Sequence, residues 1–108
     1  MRIANGLDHN LVVSGRAGTL RPAAVLFDRT SGRRLDVSTT EPGVQVYTGQ
    51  SLTPSIVGAY GRRFAPHAGM CLETQHYPDS PNHPMFPTTT LRPAVRWRSQ
   101  TRWRFTTA

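Results

Sequence analysis

The sequence holds a single cysteine, no lysine and no long apolar run. The lone Cys71 excludes an internal disulfide and fits a reducing compartment, which makes the cytoplasm the default location. No stretch approaches the ~20 apolar residues that a membrane-spanning helix requires, and no charged-then-apolar leader precedes a cleavage site, so no membrane partner is expected. Helical periodicity and internal repeats are missing as well, which leaves strands as the regular element to look for. At 108 residues the chain has room for one ordinary domain with a modest core, and not for two.

Without lysine, positive charge rests on thirteen arginines, set against six acidic residues for a formal net charge of +7. Arginine's planar fork suits phosphate, so a basic nucleic-acid-binding module is one reading of that balance. The arginines lie in ones and twos (Arg2, Arg16, Arg21, Arg62, Arg63, Arg92) and line no helix or recognisable motif. A solvated face is the plainer reading, and no nucleic-acid partner is expected. His9, His67, His76 and His83 show no metal-ligand spacing, so no metal site is expected either.

What is present is a series of short strand-like runs separated by turn residues. Leu11 to Val13 reads as a strand closed by Ser14-Gly15. Ala23 to Phe27 and Leu35 to Thr39 flank the turn-forming cluster Asp28-Arg29-Thr30-Ser31-Gly32, the clearest hairpin in the chain. Val44 to Thr48 is the next strand, with Val44 and Val46 on one face and Gln45 and Tyr47 on the other. Gly49 to Ala68 is an irregular excursion. From Met70 to Gln75 the alternation puts Leu72 and Thr74 opposite Cys71, Glu73 and Gln75, and the proline-dense segment from His76 to Pro87 must fold back as a loop over that strand's end. Thr88 to Leu91 suggests a brief strand stopping at Pro93, and Thr101 to Thr106 a last one with Trp103 and Phe105 inward. The fold class read from these runs is all-β and antiparallel.

Glu73 is the odd residue out, a carboxylate in an otherwise uncharged strand, either solvated on an open face or held beside a polar site. The run around it, Cys71-Leu72-Glu73-Thr74-Gln75-His76-Tyr77-Pro78-Asp79-Ser80-Pro81-Asn82, resembles the signature of the aldose 1-epimerases, the galactose mutarotases. Three further pieces follow family order. Gly6-Leu7-Asp8-His9-Asn10 resembles the family's Gly-aromatic-Asp-His-Asn segment, Ser31 to Val37 its hairpin, and Glu41-Pro42-Gly43-Val44-Gln45-Val46-Tyr47-Thr48-Gly49 its Pro-Gly-Val-Gln-aromatic-Tyr-Thr-Gly strand. The chain departs from the pattern at Pro93-Ala94-Val95, where the family usually has Pro-Gly-Glu.

The resemblance implies the C-terminal part of a galactose-mutarotase-like β-sandwich, with residues 1–108 a fragment of one such domain. It implies Glu73 as the catalytic base, and Asp8 and Gln45 as ligands of sugar hydroxyls. The substrate would be an aldohexose such as galactose or glucose, and the reaction needs no cofactor. The family's general acid, a His in an Asn-His-Ser/Thr-Tyr-type motif, has no counterpart here, so the chain is expected to be incompetent alone and to lack an N-terminal portion. Alternatives are a non-catalytic carbohydrate-binding fragment and self-association through open strand edges. Tyr47 shares Gln45's face and packs either on a sugar or in the core. His9 should point away from Asp8 and make a structural hydrogen bond. Cys71 shares Glu73's side, as a thiol nucleophile or, the commoner fate, a small buried residue.

Overall fold

The computed structural model describes residues 5–107 and is all-β. Its six strands are β1 (Asp8–Val12), β2 (Arg21–Phe27), β3 (Arg33–Thr39), β4 (Gly43–Tyr47), β5 (Cys71–Gln75) and β6 (Thr101–Thr107), all paired antiparallel. They form two sheets, one in the order β1-β4-β5 and the other β2-β3-β6. The expected hairpin is β2–β3, and its turn has local causes. Asp28 accepts hydrogen bonds from the Ser31 hydroxyl and the Thr30 and Ser31 amides. Those donors, the Ser31 hydroxyl foremost, hold the Asp28 carboxyl below the ordinary carboxylate range. Gly32 then takes φ +69, where a side chain would be strained.

The two sheets meet over a small core. Val13, Val44 and Val46 are buried together, with Leu7, Ala23 and Leu72 packed against them. Ala23 reaches that cluster because a register shift between Pro22 and Ala24 leaves it without a cross-strand partner. Across the junction the Thr74 and Thr101 hydroxyls lie 2.6 Å apart, and Thr101 meets the buried Thr39 hydroxyl at 3.2 Å. Arg21 closes the back of the junction. Its Nε donates to the Ser14 carbonyl, Nη1 to those of Thr19 and Thr39, and Nη2 to those of Val13 and Glu41, at 2.9–3.3 Å. All five N–H groups of the guanidinium are thereby used on backbone oxygens.

Three expectations need correction. Trp103 and Phe105 do share a face with Val37 and Leu35, their register partners, but are 45% and 74% exposed, because none of the buried core residues lies over that end of the face, whereas Val37 and Thr39 on the same face are buried. Residues 88–91 form no strand. No neighbouring chain is paired with them, and the Thr88 hydroxyl accepts the Thr90 amide, a local bond that competes with a ladder. Cys71 is exposed, because β5 is an edge strand and the thiol side faces away from the core.

The architecture is open. The radius of gyration is 16.5 Å, against about 13 Å for a compact domain of this length. The accessible surface is 8483 Å², against about 6,000 Å² for a folded monomer of 12.0 kDa. No helix among the described residues is long and apolar enough to cross a membrane.

Candidate active site

The β1-β4-β5 sheet has two unlike faces. Pairing sets Asp8 opposite Tyr47 and Tyr47 opposite Cys71; one step along, Asn10 faces Gln45 and Gln45 faces Glu73. Because alternate residues share a side, one face carries Asp8, Asn10, Gln45, Tyr47, Cys71, Glu73 and Gln75. The other carries Val44, Val46 and Leu72, which supply the core. Burial of those apolar residues fixes the phase, since a slip of one position would turn the polar set inward.

A solvent-open hollow of about 530 Å³ lies on the polar face, lined by Asp8, Gln45, Tyr47, Ser51, Glu73, Gln75 and Pro78. That volume is within the ~300–1,000 Å³ of small-molecule sites. The fold thus brings Asp8, Gln45 and Glu73 to one floor. Gln45 Nε2 donates to Asp8 Oδ1 at 2.8 Å between residues 37 positions apart in the chain. This bond orients both groups, and leaves Gln45 Oε1 enclosed without a partner. Glu73 is exposed, so the partial burial that would favour a catalytic base is not supplied by this chain. No histidine lines the hollow. His9 lies on the opposite face, where its Nδ1 accepts the Asp8 amide at 3.1 Å.

Contacts that no local pattern predicts also shape the hollow. The Tyr47 hydroxyl accepts the Ser51 amide at 3.0 Å and so draws the start of the irregular excursion over the floor. His67 Nδ1 meets the Thr48 carbonyl at 2.8 Å, and the His67 amide donates to the Gly49 carbonyl, tying the excursion's far end to the same place. Gly43 lets Asn10 and Tyr77 close over the strand: a Cβ there would lie 2.5 Å from Asn10 Oδ1 and 3.1 Å from Tyr77 Cδ1.

The remaining wall depends on a side-chain hydrogen bond between Glu41 and His76. Glu41, 5% exposed, puts Oε2 2.7 Å from Nδ1 of His76. The Glu41 amide donates to the Thr39 hydroxyl and its carbonyl accepts from Arg21. The pair joins the lead-in to β4 with the exit of β5, and so sets where Tyr77 and Pro78 leave the sheet. Glu41→Ala should therefore cost about 2–3 kcal/mol in urea unfolding, because His76 and the buried lead-in lose their shared bond. Glu41→Gln, which keeps an acceptor, should cost less than half of that.

The antiparallel floor thus carries hydrogen-bond donors and acceptors together, with the exposed Glu73 carboxylate among them. The family model described as aldose 1-epimerase matches residues 1–104, and the chain belongs to that family. It is 46% identical over 83 residues to a galactose mutarotase from Bos taurus and 45% identical to one from Homo sapiens, covering 77% of this chain and 24% of each relative. An aldose 1-epimerase from Escherichia coli (strain K12) is 35% identical over 91 residues, 80% of this chain and 25% of that protein. The chain thus spans about a quarter of the length of these relatives.

Proposed function

We propose that this chain is the base-bearing, C-terminal part of an aldose 1-epimerase that interconverts the α and β anomers of an aldohexose such as galactose or glucose. The observation that carries the reading is the convergence of Asp8, Gln45 and Glu73 on one hollow. Relatives named galactose mutarotase and aldose 1-epimerase support the substrate class.

In this reading Glu73 takes the proton of the anomeric hydroxyl while an acid gives one to the ring oxygen. The ring bond breaks, the carbonyl carbon rotates, and closure on the opposite face returns both protons. Asp8, already fixed by Gln45, accepts hydroxyl hydrogen bonds with its remaining lone pairs. No lining residue takes the acid's part. The acid comes from outside this chain, which is the C-terminal portion of the domain and acts in the cytoplasm on a soluble sugar, without a cofactor.

Nucleic acid stays outside this reading, because the arginines are scattered along the chain and two of them are held by groups of the chain itself. Arg21 binds carbonyls, and Arg34 forks onto Asp36 at 2.6–2.9 Å and holds that carboxyl below its ordinary range. Polarimetry of freshly dissolved α-galactose with the isolated chain should show no acceleration over buffer, since losing the acid alone removes ~10²–10⁴ in rate. Acceleration near that of a full-length relative would overturn the division of roles. A second reading, sugar binding without turnover, is favoured by the open, solvent-exposed position of Glu73. It predicts galactose-dependent NMR shifts at Asp8, Gln45 and Tyr47 that Asp8→Asn abolishes.

A further inference from the structure

Two enclosed side-chain atoms on the polar floor make no hydrogen bond: Nδ2 of Asn10 and Oε1 of Gln45. They are of opposite kind, a donor and an acceptor. They also belong to register partners, since Asn10 stands directly across from Gln45 in the β1-β4 pair and both side chains rise from the same face. An enclosed polar atom left unpaired has given up its bonds to water without replacement. Two complementary ones on facing residues therefore have each other as the partner within reach.

The sense of each amide follows from one charge. The Asp8 carboxylate only accepts, so Gln45 must turn Nε2 toward it, in the 2.8 Å bond, and Oε1 away. Only a donor can then meet Oε1. An asparagine amide turns over with almost no change of shape, and the sense that encloses Nδ2 is the one that supplies this donor. Asn10 is kept close to the strand by the missing side chain at Gly43, where a Cβ would lie 2.5 Å from its Oδ1 and 3.1 Å from its Nδ2.

We propose that Asn10 is the positioning residue of this floor: its Nδ2 donates to Gln45 Oε1, by a small rotation of either side chain or across one enclosed water, and locks the Gln45 amide in a single sense. Gln45 then presents only N–H to the hollow that it lines. A ligand hydroxyl beside it must accept from the second Nε2 hydrogen while giving its own proton to Asp8, so the pair selects a hydroxyl held in one orientation. That last step rests on the sugar reading, whereas the link between the two amides does not.

The test follows the side-chain amide signals of the nitrogen-labelled chain by NMR. Asn10→Asp keeps the shape and loses the donor, Asn10→Leu keeps the bulk without polarity, and Asn10→Ser keeps a hydroxyl able to donate across a water. The Gln45 side-chain amide should exchange its hydrogens with solvent about fivefold to tenfold faster in the first two than in the unaltered chain, with Asn10→Ser in between. The galactose concentration giving half of the maximal shift should rise by about the same factor in Asn10→Asp. In a Gln45→Met background the Asn10→Asp change should add nothing, because no amide is left to orient. A packing role alone would lower the urea midpoint and produce neither signature. Unmoved Gln45 exchange in Asn10→Asp, or Asn10→Ser no better than Asn10→Leu, would overturn the proposal. Should those variants lose the chain's far-UV circular dichroism, the unaltered chain decides: cross-relaxation between the Asn10 and Gln45 side-chain amide hydrogens is expected, and its absence would overturn the proposal too. Galactose that shifts no signal at all would end the sugar reading and leave the amide comparison intact.

Discussion

Glu73→Gln should, on the proposed reading, lower mutarotation ~10²–10⁴-fold when the part supplying the acid is present, with little change in the sugar concentration that half-saturates it. The glutamine keeps the size and an acceptor oxygen, so the floor formed with Gln45 and Gln75 survives. In the proposed reaction what is lost is the ability to take the anomeric proton. Asp8→Asn should show the opposite balance: the Gln45 bond persists or turns over, but one charge-assisted hold on the sugar weakens, and half-saturation rises more than turnover falls. Polarimetry across galactose concentrations separates the two. If Glu73→Gln merely raised half-saturation, the base would have to be sought elsewhere on the face, and Glu73 would be a hydroxyl ligand.

The second large effect lies outside the hollow. Arg21→Met should lower the urea-unfolding free energy by about 2–4 kcal/mol, a large part of what a domain of this size possesses. Five carbonyls, those of Val13, Ser14, Thr19, Thr39 and Glu41, converge on one guanidinium. Removing it leaves their dipoles facing one another across the sheet junction, with water able to reach only part of them. Arg21→Lys should recover no more than half of the loss, since an ammonium has three donors and no planar fork. An equal midpoint for Lys and Arg would show that charge alone matters there. Because Glu41 is one of the five, its pairing with His76 should loosen too, and the wall at Pro78 with it.

Much of this arrangement was legible in the sequence. Alternation of apolar residues fixed which face Gln45 and Glu73 occupy, and Asp28 to Gly32 announced the turn between β2 and β3. The motifs around Asp8, Gln45 and Glu73 named three residues that the sheet brings to one floor. Other features depend on contacts that no local pattern encodes. Arg21 reads as one of the scattered solvated charges, yet its partners come from three stretches, at 13–14, 19 and 39–41. Glu41 and His76 are separated by 35 positions and meet only because β4 and β5 pair. Trp103 and Phe105 have the spacing of an inward stripe, and alternation does fix their face; burial requires something to lie on it. The threonines at 88–90 show the same limit in reverse, since strand-favouring residues without an adjacent strand satisfied one of their amides locally.

The order of strands has a temporal consequence. β2 and β3 find each other across a five-residue turn, whereas β1 must wait for β4, and β4 for β5, each across a long intervening segment. Closing such loops loses chain entropy before any contact compensates it, so the hairpin should be in place well before the polar floor exists. The polar hollow is therefore a late product of folding, assembled only once segments well separated along the chain have met.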